Sequence, residues 1–333
     1  MSSPRPSIVI VWLTISATAI LLVTLYRQYS LHSLVDINFQ HSFESGHKVN
    51  DYLVLAEKLW MRSLDDRSRM LSESFNKEPD RRIQDFIYPY NIWDLFRPTF
   101  FCPFDLERIG KLGDGGKWVC GMSRHEALTP GPSSEASPDK SIVVYSFGVE
   151  HDSSFEAALL ARLNVEIWGF DYSVNGWAKE VPPNSRAHFT KAAIAEKTDR
   201  VQSPPKLAVH DIMADNGHHF VDIMKMDIEG AEFQALDALM DSIEESGQHA
   251  LPIGQLLIEL HITTRDDCPQ TVRGLVKWFQ RLESFGMRPV YNEHNWIGDV
   301  GSGHPQFIEV KCILKSVSTS SNKQSLTRSY STR

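Results

Sequence analysis

Residues 221–233, Val-Asp-Ile-Met-Lys-Met-Asp-Ile-Glu-Gly-Ala-Glu-Phe, constrain the fold more than any other stretch of this chain. The first half alternates apolar residues with Asp222, Lys225 and Asp227, the pattern of a buried strand. The second half passes through Gly230 into an apolar-periodic helix. Open α/β sheets present acids to ligands in this way, because their ligands sit outside the carboxyl ends of the strands. A solvated strand tip would account for one acid. Three acids at one strand end, Asp227, Glu229 and Glu232, argue for a site.

Further strand–turn–helix units surround this stretch. Residues 141–147 (Ser-Ile-Val-Val-Tyr-Ser-Phe) form a continuous apolar run of the kind found in parallel sheets. They lead into Gly148, Glu150 and Asp152, then into a helix opened at capping-box spacing by Ser153 and Glu156. A second strand, 165–170, ends in Asp171, where an acid can accept hydrogen bonds from ribose hydroxyls. Residues 189–195 suit a third strand and 256–261 a fifth, which ends in Glu259 and His261. Helical stripes follow both of the later strands, with Gly286 as a stop, and 288–291 and 307–314 suit a closing strand pair.

The N-terminal region differs. Residues 8–26 are uncharged and apolar, long enough as a helix to cross the ~30 Å hydrocarbon core. The run continues beyond the small residues at 16–19, which favours an uncleaved anchor over a signal peptide. The expected organisation is a short tail (1–7), the anchor (8–26), a helical stem (27–95), a catalytic domain (96–315) with a flexible Pro/Ser-rich loop at 126–140, and a disordered tail (316–333). The expected partners are a lipid bilayer through 8–26 and an unidentified acceptor, and the expected location is a single-pass membrane protein of the endomembrane system, such as Golgi or ER. A net charge of −8 gives no support for nucleic-acid binding. Four cysteines in 333 residues make no disulfide scaffold, and no CxxC pair suggests zinc. Cys102 and Cys120 flank a glycine-rich turn, and could pair in an oxidising lumen or remain buried thiols in the cytosol.

The turn after the first strand points to the ligand. A dinucleotide fold would show G-x-G-x-x-G there, whereas this chain has Gly148 alone among acids. Those acids would repel a pyrophosphate and attract the sulfonium and amino groups of S-adenosylmethionine. Lys225-Met226-Asp227-Ile228-Glu229-Gly230-Ala231-Glu232 resembles the signature of FkbM-type methyltransferases. The Cys102-Pro103-Phe104 block, Gly113-Asp114-Gly115-Gly116-Lys117-Trp118-Val119-Cys120 and Tyr145-Ser146-Phe147-Gly148-Val149 resemble a membrane-anchored eukaryotic branch of methyltransferase-like proteins. The resemblance covers roughly residues 100–314. It implies a Rossmann-like class I methyltransferase fold with a mostly parallel seven-stranded sheet, and S-adenosylmethionine as cofactor. Mapped by position, it places Phe147, Gly148 and Glu150 at the methionine end and Asp171 at the ribose. Ala192 and Ala193 would lie near the adenine, and Asp227 would face the reacting methyl.

An oxygen acceptor gains from a base that takes its proton, and Asp227, Glu229, Glu259 and His261 are the candidates. Glu229 and Glu232 could instead serve the dipole of the following helix, and His261 could be a core histidine or a metal ligand, although no metal is assigned. The expected activity is O-methylation of a small-molecule, glycan or lipid-linked acceptor. Two other readings stay open. One is a membrane-anchored glycosyltransferase, with Asp227-Ile228-Glu229 approximating its metal motif; the other is a non-catalytic binding protein built on the same fold.

Overall fold

The structure is a computed structural model, and describes residues 46–74, 80–85, 90–113, 115–128, 141–265, 268–295, 301, 303 and 306–315. The expected anchor at 8–26, most of the loop at 126–140 and the tail from 316 lie outside these residues. Among the described residues no helix is long and apolar enough to cross a membrane. The chain divides into two compact units, 1–53 and 54–333. Of the first, only the start of helix α1 (Gly46–Ser74) is described.

In the second unit, seven strands form one sheet. These are β3 (Ile142–Phe147), β4 (Val165–Phe170), β5 (Ala187–Thr190), β8 (Val221–Met226), β9 (Ile253–His261), β10 (Met287–His294) and β11 (Phe307–Leu314). Their order is β10-β11-β9-β8-β3-β4-β5. Five of them are joined by parallel pairings, and β11 runs antiparallel to both of its neighbours. Here the expected fold class holds: a Rossmann-like, mostly parallel seven-stranded sheet. The chain reverses its direction of travel across the sheet between β3 and β8, which opens a crevice at their carboxyl ends. Two minor sheets complete the strands: the hairpin β1 (Leu106–Ile109) with β2 (Lys117–Cys120), and the pair β6 (Ala193–Ile194) with β7 (Lys206–Leu207). The single strand expected over 189–195 is thus split, with β5 in the main sheet and β6 outside it.

The central strands are long apolar runs because both faces are covered. All nine residues of β9 are buried. Helix α6 (Glu232–Glu245) buries Phe233, Leu236, Leu239 and Met240, and α7 (Val272–Ser284) buries Leu275, Val276, Phe279 and Leu282 on the same core. The stripes legible in the sequence are therefore the packed faces. Helix α4 (Ser154–Arg162) packs Phe155, Leu159 and Leu160 into a second cluster with Val144, Val165 and Ile167. Its N-terminus is not the expected capping box. Ser153 Oγ instead accepts the Ala178 N–H (3.0 Å), and the Ser154 N–H goes to Asp152 Oδ1 (2.9 Å).

From residue 54 onward helix α1 packs within the second unit. Arg67 on α1 makes a buried, two-pronged ion pair with Glu283 (2.7 and 2.9 Å), and its Nε donates to the Leu95 carbonyl. Arg288 pairs with Glu57 and lies 3.5 Å from the centroid of the Trp60 ring. This part of the helix belongs to the catalytic unit. Its amphipathic stripe was legible in the sequence, but a stripe does not say what it packs against.

Candidate active site

The site forms where β3, β4, β8 and β9 end. Gly148 follows β3 with φ +77°, and a Cβ there would lie 1.7 Å from the carbonyl oxygen of Asp227. Only glycine allows this approach, which presses the turn after β3 onto the strand end that carries Asp227. Lys225 Nζ donates to the Gly148 carbonyl (2.6 Å) from below and lies 3.6 Å from the buried Glu156. Glu150 follows with φ +46°, an uncommon conformation for a residue with a side chain.

Asp171 holds this turn from the end of β4. Its Oδ2 accepts the N–H groups of Val149 and Glu150, both at 2.8 Å, while Oδ1 accepts the Ser173 N–H (2.6 Å) and hydroxyl (2.7 Å). Burial raises the pKa of this carboxyl, but the donors outweigh burial and hold it below the usual range. A carboxylate has about four acceptor positions, and here all are engaged. The Ser173 hydroxyl is the donor that a ribose hydroxyl can replace without breaking a backbone contact. Phe147 and Ala192, expected to line the cofactor, are core residues. Phe147 offers its carbonyl to Asp227 N (3.0 Å), and Ala192 offers its N–H to the Asp171 carbonyl (3.1 Å). Both therefore shape the site through the backbone. Ala193 opens β6, half-buried.

On the other side, a row of acids crosses the sheet. Glu293 pairs with Glu309, and Glu309 with Glu259, in the antiparallel registers of β10, β11 and β9. Asp227 continues the row one residue past β8. Side chains in register share a face, and like charges placed opposite one another repel. The β1–β2 hairpin supplies the compensation. Arg108 of β1 donates to Glu293. Lys117 of β2 reaches Glu309 (2.8 Å), Asp227 (3.1 Å) and Glu259 (3.6 Å) from one buried ammonium. Burial alone would favour a neutral lysine. The fields of Asp227, Glu309 and Glu259 overcome it and raise the pKa, so Lys117 is charged. Burial also opposes ionisation of Asp227, but Lys117, Lys225 and His261 hold its pKa low. Glu259 moves the other way, raised by burial and by the Asp227 charge.

His261 completes the arrangement. Its Nδ1 lies 2.9 Å from Glu232 Oε1, and its Nε2 faces Asp227 (3.9 Å) and Glu229 (3.7 Å). Burial lowers its pKa, yet the bond and charge of Glu232, then Asp227 and Glu259, raise it to about 9. Glu232 Oε1 also accepts the Ile228 N–H (3.0 Å), bracing the turn before α6. Its two roles are thus to fix this turn and to orient His261. Glu229 has φ +57° and a side chain 67% exposed, at the rim.

The four expected catalytic residues therefore converge, and the turn residues Gly148 and Glu150 and the ribose candidate Asp171 lie at the neighbouring strand ends. Lys117 and Glu309 were missed. In the sequence Lys117 stood only at the end of a glycine-rich turn, with nothing to say which acids it would meet. The alternation of Glu309 with apolar residues in 307–314 put it on a face, without showing which face was covered. Cys102 and Cys120, left open above, form a disulfide across the hairpin. The acids at three strand ends, Glu150, Asp171 and Asp227, fit a ligand that is cationic and carries hydroxyls.

Comparison with known families decides the class. A family model described as a methyltransferase domain matches residues 49–297, well over half of the 333-residue chain. The chain belongs to this methyltransferase family. S-adenosylmethionine is the cofactor that this membership calls for. No curated protein matches the chain. Among solved structures, it is similar to a fibrillarin pre-rRNA processing protein of Methanococcus jannaschii, at 11% identity and a TM-score of 0.33, covering 54% of this chain and 70% of that one. It is also similar to the fibrillarin of Aeropyrum pernix, which was solved with natively bound S-adenosyl-L-methionine. That match has 11% identity and a TM-score of 0.29, covering 63% of this chain and 82% of that one.

Proposed function

We propose that this methyltransferase is of the FkbM type, in its membrane-anchored branch, and that it methylates a hydroxyl oxygen of a small-molecule, glycan or lipid-linked acceptor. The observation that carries this reading is Asp227. It stands against the Gly148 turn with its side chain 23% exposed, one oxygen held by Lys117 and the other facing the crevice near His261.

S-adenosylmethionine supplies an electrophilic methyl group on a sulfonium. The task of the chain is to hold an acceptor oxygen in line with it, which provides much of the rate. Asp227 Oδ1, the oxygen not held by Lys117, is placed to accept the acceptor O–H and then its proton. A carboxylate of low pKa is a weak base, but it suffices, since a hydroxyl becomes strongly acidic as its oxygen takes on a methyl group. His261, charged at neutral pH, keeps Asp227 ionised. Gly148, Glu150 and Asp171 would bind the methionine and ribose parts, with Ala193 toward the adenine. Calorimetric titration with S-adenosylmethionine and with its demethylated product tests the reading. Saturable binding of both is expected, and no heat with either would sink it.

The apolar run at 8–26 supports a bilayer anchor in an endomembrane compartment. The Cys102–Cys120 bridge supports an oxidising lumen around the catalytic domain. Protease protection of intact vesicles, with thiol alkylation before and after reduction, tests both points. A domain digested from the cytosolic side, or two cysteines that alkylate without reduction, would overturn the placement.

A further inference from the structure

Asp227, Glu259 and His261 offer one ligand atom each, all within 4.8 Å of one another, and these are residue types that hold divalent metal ions. Two of the three, Asp227 and Glu259, already face a cation. Lys117 Nζ lies 2.8 Å from Glu309, 3.1 Å from Asp227 and 3.6 Å from Glu259. An ammonium is a compact charge with three donors, and three carboxylates surround it here.

Lys117 comes from outside the seven-stranded sheet, on a strand that is fixed twice. The Cys102–Cys120 disulfide ties the end of β2 to the segment before β1. Gln255 of β9 accepts the Cys120 N–H (3.1 Å) and donates to the Cys120 carbonyl (2.8 Å), which docks β2 against the sheet. The acids cannot relax away from one another, because Glu309 and Glu259 are register partners within β11 and β9. The fold therefore forces carboxylates together and delivers one positive charge between them from a braced element.

We infer that Lys117 is the resident cation of this site: its ammonium takes the place among Asp227, Glu259 and Glu309 that a divalent metal ion would occupy. It is a positioning residue, acting on the acceptor through Asp227. It holds Oδ2 so that Oδ1 is turned to the crevice. The inference deepens the methyl-transfer reading and relies on it only for the purpose of the site.

The experiment compares the full-length wild type with Lys117→Ala, Lys117→Gln, Lys117→Arg and the double variant Lys117→Ala/Asp227→Asn. Manganese(II) is the probe, followed by electron paramagnetic resonance and by the shift in thermal unfolding. Wild type and Lys117→Arg should bind no manganese at the site. Lys117→Ala should bind one ion and gain thermal stability with manganese concentration, as binding to the folded state alone requires; the double variant should lose both effects. Should Lys117→Ala fold only with manganese, that supports the inference. Should it not fold at all, Lys117→Gln, which keeps hydrogen bonding without charge, decides by the same readouts.

Wild type that binds one manganese ion through Asp227 would overturn the inference, as would a folded Lys117→Ala or Lys117→Gln that binds none. Calorimetry with S-adenosylmethionine on the same samples separates the two readings. Wild type that ignores the donor defeats the function, while the manganese results stand or fall independently. Lys117→Arg that restores donor-bound geometry, seen as wild-type affinity and heat, marks the charge as the requirement.

Discussion

The two walls of the crevice are built by different means. On the β3–β4 side, Asp171 and Lys225 hold the turn through the backbone groups of Val149, Glu150 and Gly148. On the β8–β9–β11 side, side-chain charges hold one another: Lys117 with three acids, and His261 with Glu232. Backbone contacts fix the shape of a cradle for a ligand common to many enzymes. Charged side chains fix an electrostatic state, which the proposed proton transfer to Asp227 would require. The first wall should therefore respond to substitution chiefly in donor affinity, and the second in stability and its dependence on pH.

Lys117→Met tests the second wall most severely. Leaving buried acids without their partner costs about 3–5 kcal/mol. Chemical denaturation should show a loss of this size, and a loss under about 1 kcal/mol, the scale of an exposed pair, would break the comparison. His261 should give a pH-dependent effect. Its folded pKa of about 9 lies above the ordinary value of 6.5. Its contribution is therefore complete below the ordinary value and is lost as pH rises through about 9. The difference corresponds to roughly 3 kcal/mol. Unfolding curves between these two pH values should show that decline in wild type and lose it in His261→Gln.

Asp171→Ala probes the first wall. It leaves the buried Val149 N–H and the partly buried Glu150 N–H without an acceptor, at about 1–3 kcal/mol, and should weaken S-adenosylmethionine at least tenfold, which calorimetry would show. Unchanged donor affinity would mean that the turn keeps its shape without Asp171. Glu229→Gln should have the smallest effect. On an exposed rim, stability should move by no more than about 0.5 kcal/mol, as a thermal melt can check, and a larger loss would assign Glu229 to the charged wall.

The first wall was legible in the sequence because its determinants are local. A glycine after one apolar strand, an acid after the next, and an acid-rich strand end follow from chain order and from where α/β sheets bind ligands. The second wall was legible only as candidates. Asp227, Glu259 and His261 could be named because adjacent strand ends meet. Their charge states could not, since these depend on Lys117, more than a hundred residues upstream of Asp227, and on Glu309 beyond β10.

The sequence by itself determined the alternation of strands and helices, the faces that are buried, and the acid-rich strand end at Asp227. Each of these depends on periodicity or on neighbours in the chain. Only the tertiary structure decided that the hairpin covers the acid row, that Cys102 meets Cys120, and that helix α1 from residue 54 belongs to the catalytic unit. It also decided that Asp171 is spent largely on the turn. Electrostatics acts through space, so the state of a carboxylate depends on which charges the fold brings within a few ångströms, and spacing along the chain carries no record of that.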